Sequence, residues 1–225
     1  MIGSIIIPVL NEESNIAGVL QPLQSLRDEG WLIIVVDGGS SDATVEYAKP
    51  LASTLLVSNP GRAIQMNAGA ARAEGEVLVF LHADTVLPAQ FASEMVAFNA
   101  SNKQWGRFDV TLSGSQWMFS VIAWFINWRS RLTGIATGDQ ALFFKRAYFD
   151  QLKGFAEIPL MEDVEICKRS KRQRFEAFCS PYRVITSSRK WELNGTWRTI
   201  WLMWRIRYAY YKGAEPKDLH RSYYL

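Results

Sequence analysis

A mixed α/β fold, with a mainly parallel twisted sheet flanked by helices, is predicted by three features of this 225-residue sequence. First, short runs of apolar, often β-branched residues alternate with helical patterns at close spacing, which is how parallel strands joined by right-handed crossovers read. Second, three of those runs end in acidic or polar loops, at Asn11-Glu12, Asp37 and Asp84, and a parallel sheet delivers all three to one edge. Third, Val77-Leu78-Val79-Phe80-Leu81 is apolar throughout, as a strand buried on both faces requires, and stops abruptly at His82-Ala83-Asp84. A carboxylate there is costly beside a hydrophobic sheet unless something pairs with it. A divalent cation carrying a diphosphate would supply the partner.

The elements follow in order. Residues 4–10 form the first strand, which Pro8 ends or bends. The polar loop Asn11-Glu12-Glu13-Ser14-Asn15 has helix-capping chemistry. The helix after it runs to about Arg27, with Ile16, Val19, Leu20, Leu23 and Leu26 on one face and Pro22 disturbing its middle. Residues 31–36 are a second buried strand, followed by Asp37-Gly38-Gly39-Ser40-Ser41-Asp42 and a helix to Ala48. After a third strand at 54–58, Pro60-Gly61-Arg62 turns into a small-residue helix, 63–73, that leads into the central strand. A helix from Pro88 to about Asn99 closes the first half. Residues 107–112 then alternate like a strand with one face exposed, and 117–128 are apolar nearly all round, with Arg129 and Arg131 beyond. A strand at 140–144, a short helix at 146–152, a helix with a basic exposed face at 162–172 and a long aromatic helix at 196–212 precede a polar tail. No flexible linker separates the halves, so residues 1–225 read as one domain that changes role near residue 104.

Composition narrows the class. An apolar content of 48% is ample for a core, and a net charge of +3 is too small to argue for a nucleic-acid partner. Cys167 and Cys179 match no metal-site spacing and read as reduced thiols. The first strand begins within a few residues of Met1, which leaves no room for a signal peptide and points to the cytoplasm. Nine Trp residues, most of them after residue 104, set the second half apart.

Dehydrogenases also bind nucleotides at such an edge, but need Gly-x-Gly-x-x-Gly after the first strand. Here the turn is Pro8-Val9-Leu10-Asn11-Glu12-Glu13, without glycine. A base and ribose held by side chains, with the diphosphate carried by a metal at Asp84, fits better. Singly, these residues have plainer readings: Asp37 and Asp84 as turn or cap residues, Gly38-Gly39-Ser40-Ser41 as a turn, His82 as a packed imidazole. Their order and spacing together are specific.

The chain resembles glycosyltransferase family 2, inverting enzymes of the GT-A fold, and within it a bacterial subgroup of small single-domain members. The resemblance rests on Ser4-Ile5-Ile6-Ile7-Pro8-Val9-Leu10-Asn11-Glu12, Val35-Val36-Asp37-Gly38-Gly39-Ser40-Ser41-Asp42 and Gly61-Arg62-Ala63-Ile64-Gln65-Met66-Asn67-Ala68-Gly69. It continues through Phe80-Leu81-His82-Ala83-Asp84-Thr85, Gly138-Asp139-Gln140 and Met161-Glu162-Asp163, and spans residues 4 to about 191. It implies that Pro8, Asn11, Glu12 and Asp37 bind the nucleoside and that Arg62 and Asn67 line the donor pocket. Asp84 would hold Mg²⁺ or Mn²⁺ on the diphosphate of a nucleotide sugar, expected to be a UDP-sugar, and Asp163 would be the catalytic base. Residues 1–104 would bind the donor and 105–225 the acceptor. The family's Asp-x-Asp metal motif has His82 in its first position here. Imidazole ligates Mn²⁺ but Mg²⁺ prefers oxygen, so the departure bears on the metal more than on the reaction.

Around this core the residues suggest further roles. Glu162 either raises the pKa of Asp163 by like-charge repulsion or contacts the acceptor; both are otherwise first-turn acids favoured by a helix dipole. Ser188-Arg189-Lys190-Trp191 either grips the diphosphate, for which Arg189 is suited, or is a solvated basic loop. Asp139 and Gln140 are hydrogen-bonding candidates for the acceptor. Trp105 and Trp191 could stack on a sugar, against the commoner reading of a core Trp. Trp197, Trp201, Trp204, Tyr208 and Tyr211 recur at spacings of 4, 3, 4 and 3, one stripe on a helix with Arg198, Arg205 and Lys212 to one side. Such a stripe, and the run 117–128, are either core or a surface for peripheral membrane contact or a homodimer, as a lipid-linked acceptor would explain. Two rival functions remain at this level. A decayed nucleotide-sugar-binding protein is opposed by the intact Asp84 and Asp163, and a sugar nucleotidyltransferase by the missing glycine- and arginine-rich loop after the first strand.

Overall fold

The structure, a computed structural model, describes residues 2–224, apart from the side chains of Lys190 and Tyr224. In chain order its strands are β1 (Gly3–Val9), β2 (Leu32–Asp37), β3 (Thr54–Val57), β4 (Val77–Phe80), β5 (Thr85–Val86), β6 (Trp105–Leu112), β7 (Leu142–Lys145) and β8 (Phe178–Thr186). Its helices are α1 (Ile16–Leu20), α2 (Gln24–Asp28), α3 (Thr44–Ala48), α4 (Arg62–Arg72), α5 (Phe91–Ala100), α6 (Trp117–Thr133), α7 (Arg146–Gln151), α8 (Glu162–Arg172), α9 (Arg189–Asn194), α10 (Thr196–Tyr211) and α11 (Pro216–Tyr224). A 3-10 turn at Gln21–Leu23 joins α1 to α2, with Pro22 in its first turn. The predicted irregularity is thus a change of helix type.

All eight strands form one sheet in the order β3-β2-β1-β4-β7-β6-β8-β5. The first four are parallel to one another; β7 reverses against β4, and β6 runs antiparallel to β7 and parallel to β8. Because side chains alternate across a strand, Ile5 and Ile7 of β1 pack on the layer that contains Ile16, Leu20 and Phe91, while Ile6 packs on Ala63, Met66 and Ala70 of α4. α4 can lie this close only because of its small residues. A Cβ on Gly69 would fall 2.4 Å from Ile6 Cγ2.

Two predictions are corrected. Pro8 neither ends nor bends β1, which continues to Val9 in register with β2. Ile6 accepts Leu81 N–H at 2.9 Å, so Ile6 and Pro8 face the β4 side, and β4 has ended by Pro8, where no donor is needed. β6 has no exposed face, since nearly all its residues are buried. Its polar residues Arg107 and Asp109 pair with each other and are covered by α6, where Arg131 Nη2 donates to Asp109 at 2.9 Å. Asn127 of α6 completes this clamp, accepting Val110 N–H at 2.8 Å and donating to Val110 O at 2.9 Å.

The stripe on α10 lies outward. Trp197, Trp201, Trp204, Tyr208 and Tyr211 are exposed, while Ile206 is buried and packs with Leu160, Met161 and Val164. Trp105 is core, stacked on Phe144 with Nε1 donating to Phe175 O. Trp191 is half-buried against Leu112, Phe119 and Ile122. Cys167 and Cys179 are free, and burial pushes the Cys167 thiol up to about 12.

Candidate active site

The parallel register of β1, β2 and β4 brings their carboxyl ends to one edge. There the loops after β1 and β2 are zipped together. Asn11, at φ 53°, takes Ser41 N–H on Oδ1 at 2.9 Å, and its own N–H donates to Ser40 Oγ at 2.9 Å. Glu12 N–H donates to Thr44 Oγ1 at 2.7 Å, and Glu13 Oε2 accepts Ala43 N–H at 3.0 Å. Asp37 is buried and accepts the N–H groups of Gly39 at 2.9 Å and Ser40 at 3.0 Å, so its carboxylate shapes the loop that follows it. Gln65 of α4 ties the two strand ends, donating to Val9 O at 2.7 Å and Val36 O at 2.8 Å.

The turn carrying Asp84 is held by pairing of β5 with β8. Thr85 Oγ1 donates to Asp84 Oδ1 at 3.2 Å, and Ser187 N–H to Asp84 O at 3.1 Å. This brings the start of α9 to the edge, where Arg189 Nη2 reaches 3.7 Å from Glu12 Oε2. The predicted basic loop is therefore a short helix whose arginine crosses to the first-strand loop. His82 is pressed on the turn before β7: a Cβ on Gly138 would fall 2.3 Å from its Nε2. Burial, with the Arg62 charge, lowers its pKa to about 3, so the imidazole is neutral.

Asp163 sits in the first turn of α8, which Met161 opens at φ 71°. Its Oδ2 accepts Gly138 N–H at 2.9 Å and its Oδ1 accepts Val164 N–H at 2.6 Å. Asp139 lies within electrostatic reach of both Asp84 and Asp163, and Arg129 of α6 faces Asp139 and Asp163. Burial raises the Asp139 pKa, with Thr137 opposing as a hydrogen-bond donor and the Asp163 charge adding to the rise. Asp139 Oδ1 and Arg129 Nη2 are buried without hydrogen-bond partners. Glu162 is buried in a small cavity shared with Met66, Phe80, His82, Leu142 and Phe155. Burial raises its pKa first, then the charge of Asp163; Arg62, 3.4 Å away, opposes the rise.

Three predicted contacts take different roles. Gln140 is fully buried, donating to Phe108 O and Ser130 Oγ at 3.3 and 3.2 Å, so it fixes the turn before β7 and does not reach an acceptor. Asn67 spends both ends of its amide on the backbone of Phe155 at 2.9 Å, and holds that loop where a donor contact was expected. Glu162 is directed at Arg62, not outward. The Lys190 side chain lies outside those described.

Among the described residues no group of three or more His, Cys, Asp or Glu is arranged to hold a metal ion alone. The acidic edge still suits a divalent cation: Asp84 offers oxygen, and the orphaned Asp139 oxygen adds negative potential beside it. Mg²⁺ and its like commonly take one or two carboxylates, with substrate phosphates and water for the rest.

The sequence from residue 4 to 148 matches the family model described as Glycosyl transferase family 2. The chain belongs to glycosyl transferase family 2. Its fold is GT-A. A mannosyltransferase from Pyrobaculum calidifontis in complex with GDP-Man and Mn²⁺ superposes with a TM-score of 0.70 at 21% identity, over 97% of this chain and 68% of that one. Glucosyl-3-phosphoglycerate synthase from Mycobacterium tuberculosis, in complex with Mg²⁺ and uridine-diphosphate, gives 0.60 at 17% identity, over 81% of this chain and 69% of that one. An undecaprenyl-phosphate 4-deoxy-4-formamido-L-arabinose transferase from Pectobacterium carotovorum subsp. carotovorum is 34% identical over 108 residues, 43% of this chain and 33% of the relative. The chain thus spans about a third of the length of the curated relatives it matches.

In this family member two residues of the edge are not legible in the sequence. Gln65 looks like a solvated residue of a small-residue helix, and only its place three residues after Arg62 hints at the strand ends. Arg129 closes an apolar run that dominates any reading of its neighbourhood.

Proposed function

We propose that this family 2 member is a metal-dependent, inverting glycosyltransferase that moves a sugar from a nucleotide-diphosphate sugar to an acceptor hydroxyl. The observation that carries the reading is that Asp139 lies within electrostatic reach both of Asp84, beyond the end of β4, and of Asp163, whose Oδ2 accepts Gly138 N–H. In this assignment residues 1–104 hold the donor. Glu12, Asp37 and the loop they shape receive the nucleoside, with Pro8 beneath and Asn11 fixing the loop. Arg62 and Arg189 face the donor phosphates. Asp84 holds Mg²⁺ or Mn²⁺, which when bound neutralises charge on the diphosphate leaving group.

Asp163 acts on the acceptor. Its two backbone hydrogen bonds orient the carboxylate while each oxygen keeps a lone pair, so one can take the hydroxyl proton as the acceptor oxygen attacks the sugar's anomeric carbon. The new carbon–oxygen bond forms on the face opposite the departing nucleoside diphosphate, whose bond to that carbon breaks. Asp139 and Arg129 border the acceptor, with Trp191 of α9 as a further contact.

The donor is assigned as a UDP-sugar; relatives of the same fold are bound to UDP or to GDP-Man, so both nucleotides belong in the test. The acceptor is assigned as lipid-linked, supported by the undecaprenyl-phosphate transferase among the relatives. The test is calorimetric titration of UDP and GDP, with and without Mn²⁺, into wild type and Asp84→Ala. UDP binding that requires metal and weakens at least tenfold in the variant is the expected result; equal affinity in both proteins removes Asp84 from the metal site.

A further inference from the structure

We infer that the outer faces of α6 and α10 form a docking surface for an anionic phospholipid bilayer. The inference stands on this surface alone and does not require the acceptor assignment. α6 exposes Trp117, Trp124, Phe125 and Trp128 on one side, and α10 exposes its Trp and Tyr stripe. The two helices meet in one apolar cluster, through Phe119 and Ile122 of α6 and Ile200 of α10. Exposed clusters of large apolar rings mark contact sites.

Charge decides what the contact is with. Across the 17 residues of α6 and the 16 of α10 there is no Asp or Glu. The cations Arg198, Arg205 and Lys212 flank the aromatic stripe, and two of them lie over its rings: Arg205 at 5.0 Å from the Trp201 centroid and Lys212 at 5.7 Å from that of Tyr208. Indole and phenol rings interleaved with Arg and Lys, and free of acids, match the headgroup region of an anionic bilayer: the rings sit at the apolar boundary and the cations reach the phosphates. A second copy of the same surface would instead face cation against cation. The contact would lie along the surface, because no helix among the described residues is long and apolar enough to cross a membrane.

The packing explains how such a surface survives folding. α6 is held to β6 by Asn127 and Arg131 on its inner side, so its outer rings are not needed for the core. The same helix carries Arg129 toward Asp139 and Asp163, so docking would set the acidic edge close to the headgroups.

The experiment is co-sedimentation of the full chain with vesicles of phosphatidylcholine alone and of phosphatidylcholine mixed with phosphatidylglycerol. Wild type should partition onto the mixed vesicles, far less onto the neutral ones, and release as salt rises. Trp201→Ser/Trp204→Ser and Arg198→Gln/Arg205→Gln should each lower partitioning about tenfold or more, with the circular dichroism spectrum and metal-dependent UDP binding unchanged. Wild type that stays in solution, or variants that sediment like wild type, would overturn the inference. So would light scattering that shows a wild-type dimer broken by the same substitutions, which would assign the face to a second copy. Loss of UDP binding in wild type would count against the donor assignment and leave this result untouched.

Discussion

Helix α4 and helix α10 are both one-sided, but they turn opposite faces to the molecule. α4 puts Ala63, Gly69 and Ala70 inward and approaches β1 and β2 so closely that no side chain fits at Gly69. α10 buries little more than Thr199 and Ile206 and leaves its largest rings in solvent. Burying a large apolar side chain is worth about 1.5–3 kcal/mol, so a core normally claims such residues first. The sheet end of the molecule follows that rule and gains a rigid edge for polar loops. The α6–α10 side departs from it, and its aromatic residues contribute contact surface in place of stability.

The widest gap between the regions should appear in catalysis. Asp163→Asn keeps the size of the side chain and its place at the start of α8 but removes the proton acceptor. Nucleoside diphosphate release in the presence of acceptor should fall about 10²–10⁴-fold, the range for loss of a general base, with UDP affinity nearly unchanged. Retained turnover would remove Asp163 as the base. In stability, the test of the inward region is Trp105→Ala. Trp105 is buried, stacked on Phe144 and hydrogen-bonded to Phe175, so chemical denaturation should show a loss of about 3–5 kcal/mol.

The same contrast governs what can be read from the sequence. β1, β2, β4, α4 and α8 are legible because their residues obey a single period and their ends carry Pro, Gly or Asp. β8 is not: it half-faces solvent, and Pro181 interrupts it, sitting where the register against β6 shifts between Phe108 and Asp109. β5 is two residues long, below any pattern. α11 follows Gly213 with a polar surface and, among its described side chains, one buried residue, Leu219, so it reads as tail. At the edge, the strand-end carboxylates are legible as costly groups in search of a partner. The roles of Gln140 and Asn67 are not, because an amide buried on backbone carbonyls has the same sequence as one aimed at a ligand.

A smaller effect tests the acidic edge itself. The Glu162 carboxyl is raised above its ordinary value of 4.5 by burial and by Asp163, against the pull of Arg62. Between 4.5 and that raised value the folded state holds more protons than the unfolded one, so this group's contribution to stability falls as pH rises through the window. Glu162→Gln cannot titrate. The stability of the variant relative to wild type should therefore increase as pH rises above 4.5 and level off once the folded carboxyl is ionised. A difference independent of pH would mean that Arg62 compensates the buried charge in full.

The smallest expected change belongs to the outward face, and its smallness is the point. Trp204 has 72% of its surface exposed. If its ring contributes contact surface and not core, Trp204→Ala should alter the unfolding free energy by no more than about 0.5 kcal/mol, as at ordinary surface sites. The same chemical change at Trp105 removes a ring that the fold cannot replace. Measured side by side in urea, the two substitutions should differ severalfold in midpoint shift at equal slope. A loss at Trp204 comparable to that at Trp105 would show that α10 holds the fold through its outer rings, and the contrast between the two helices would fail.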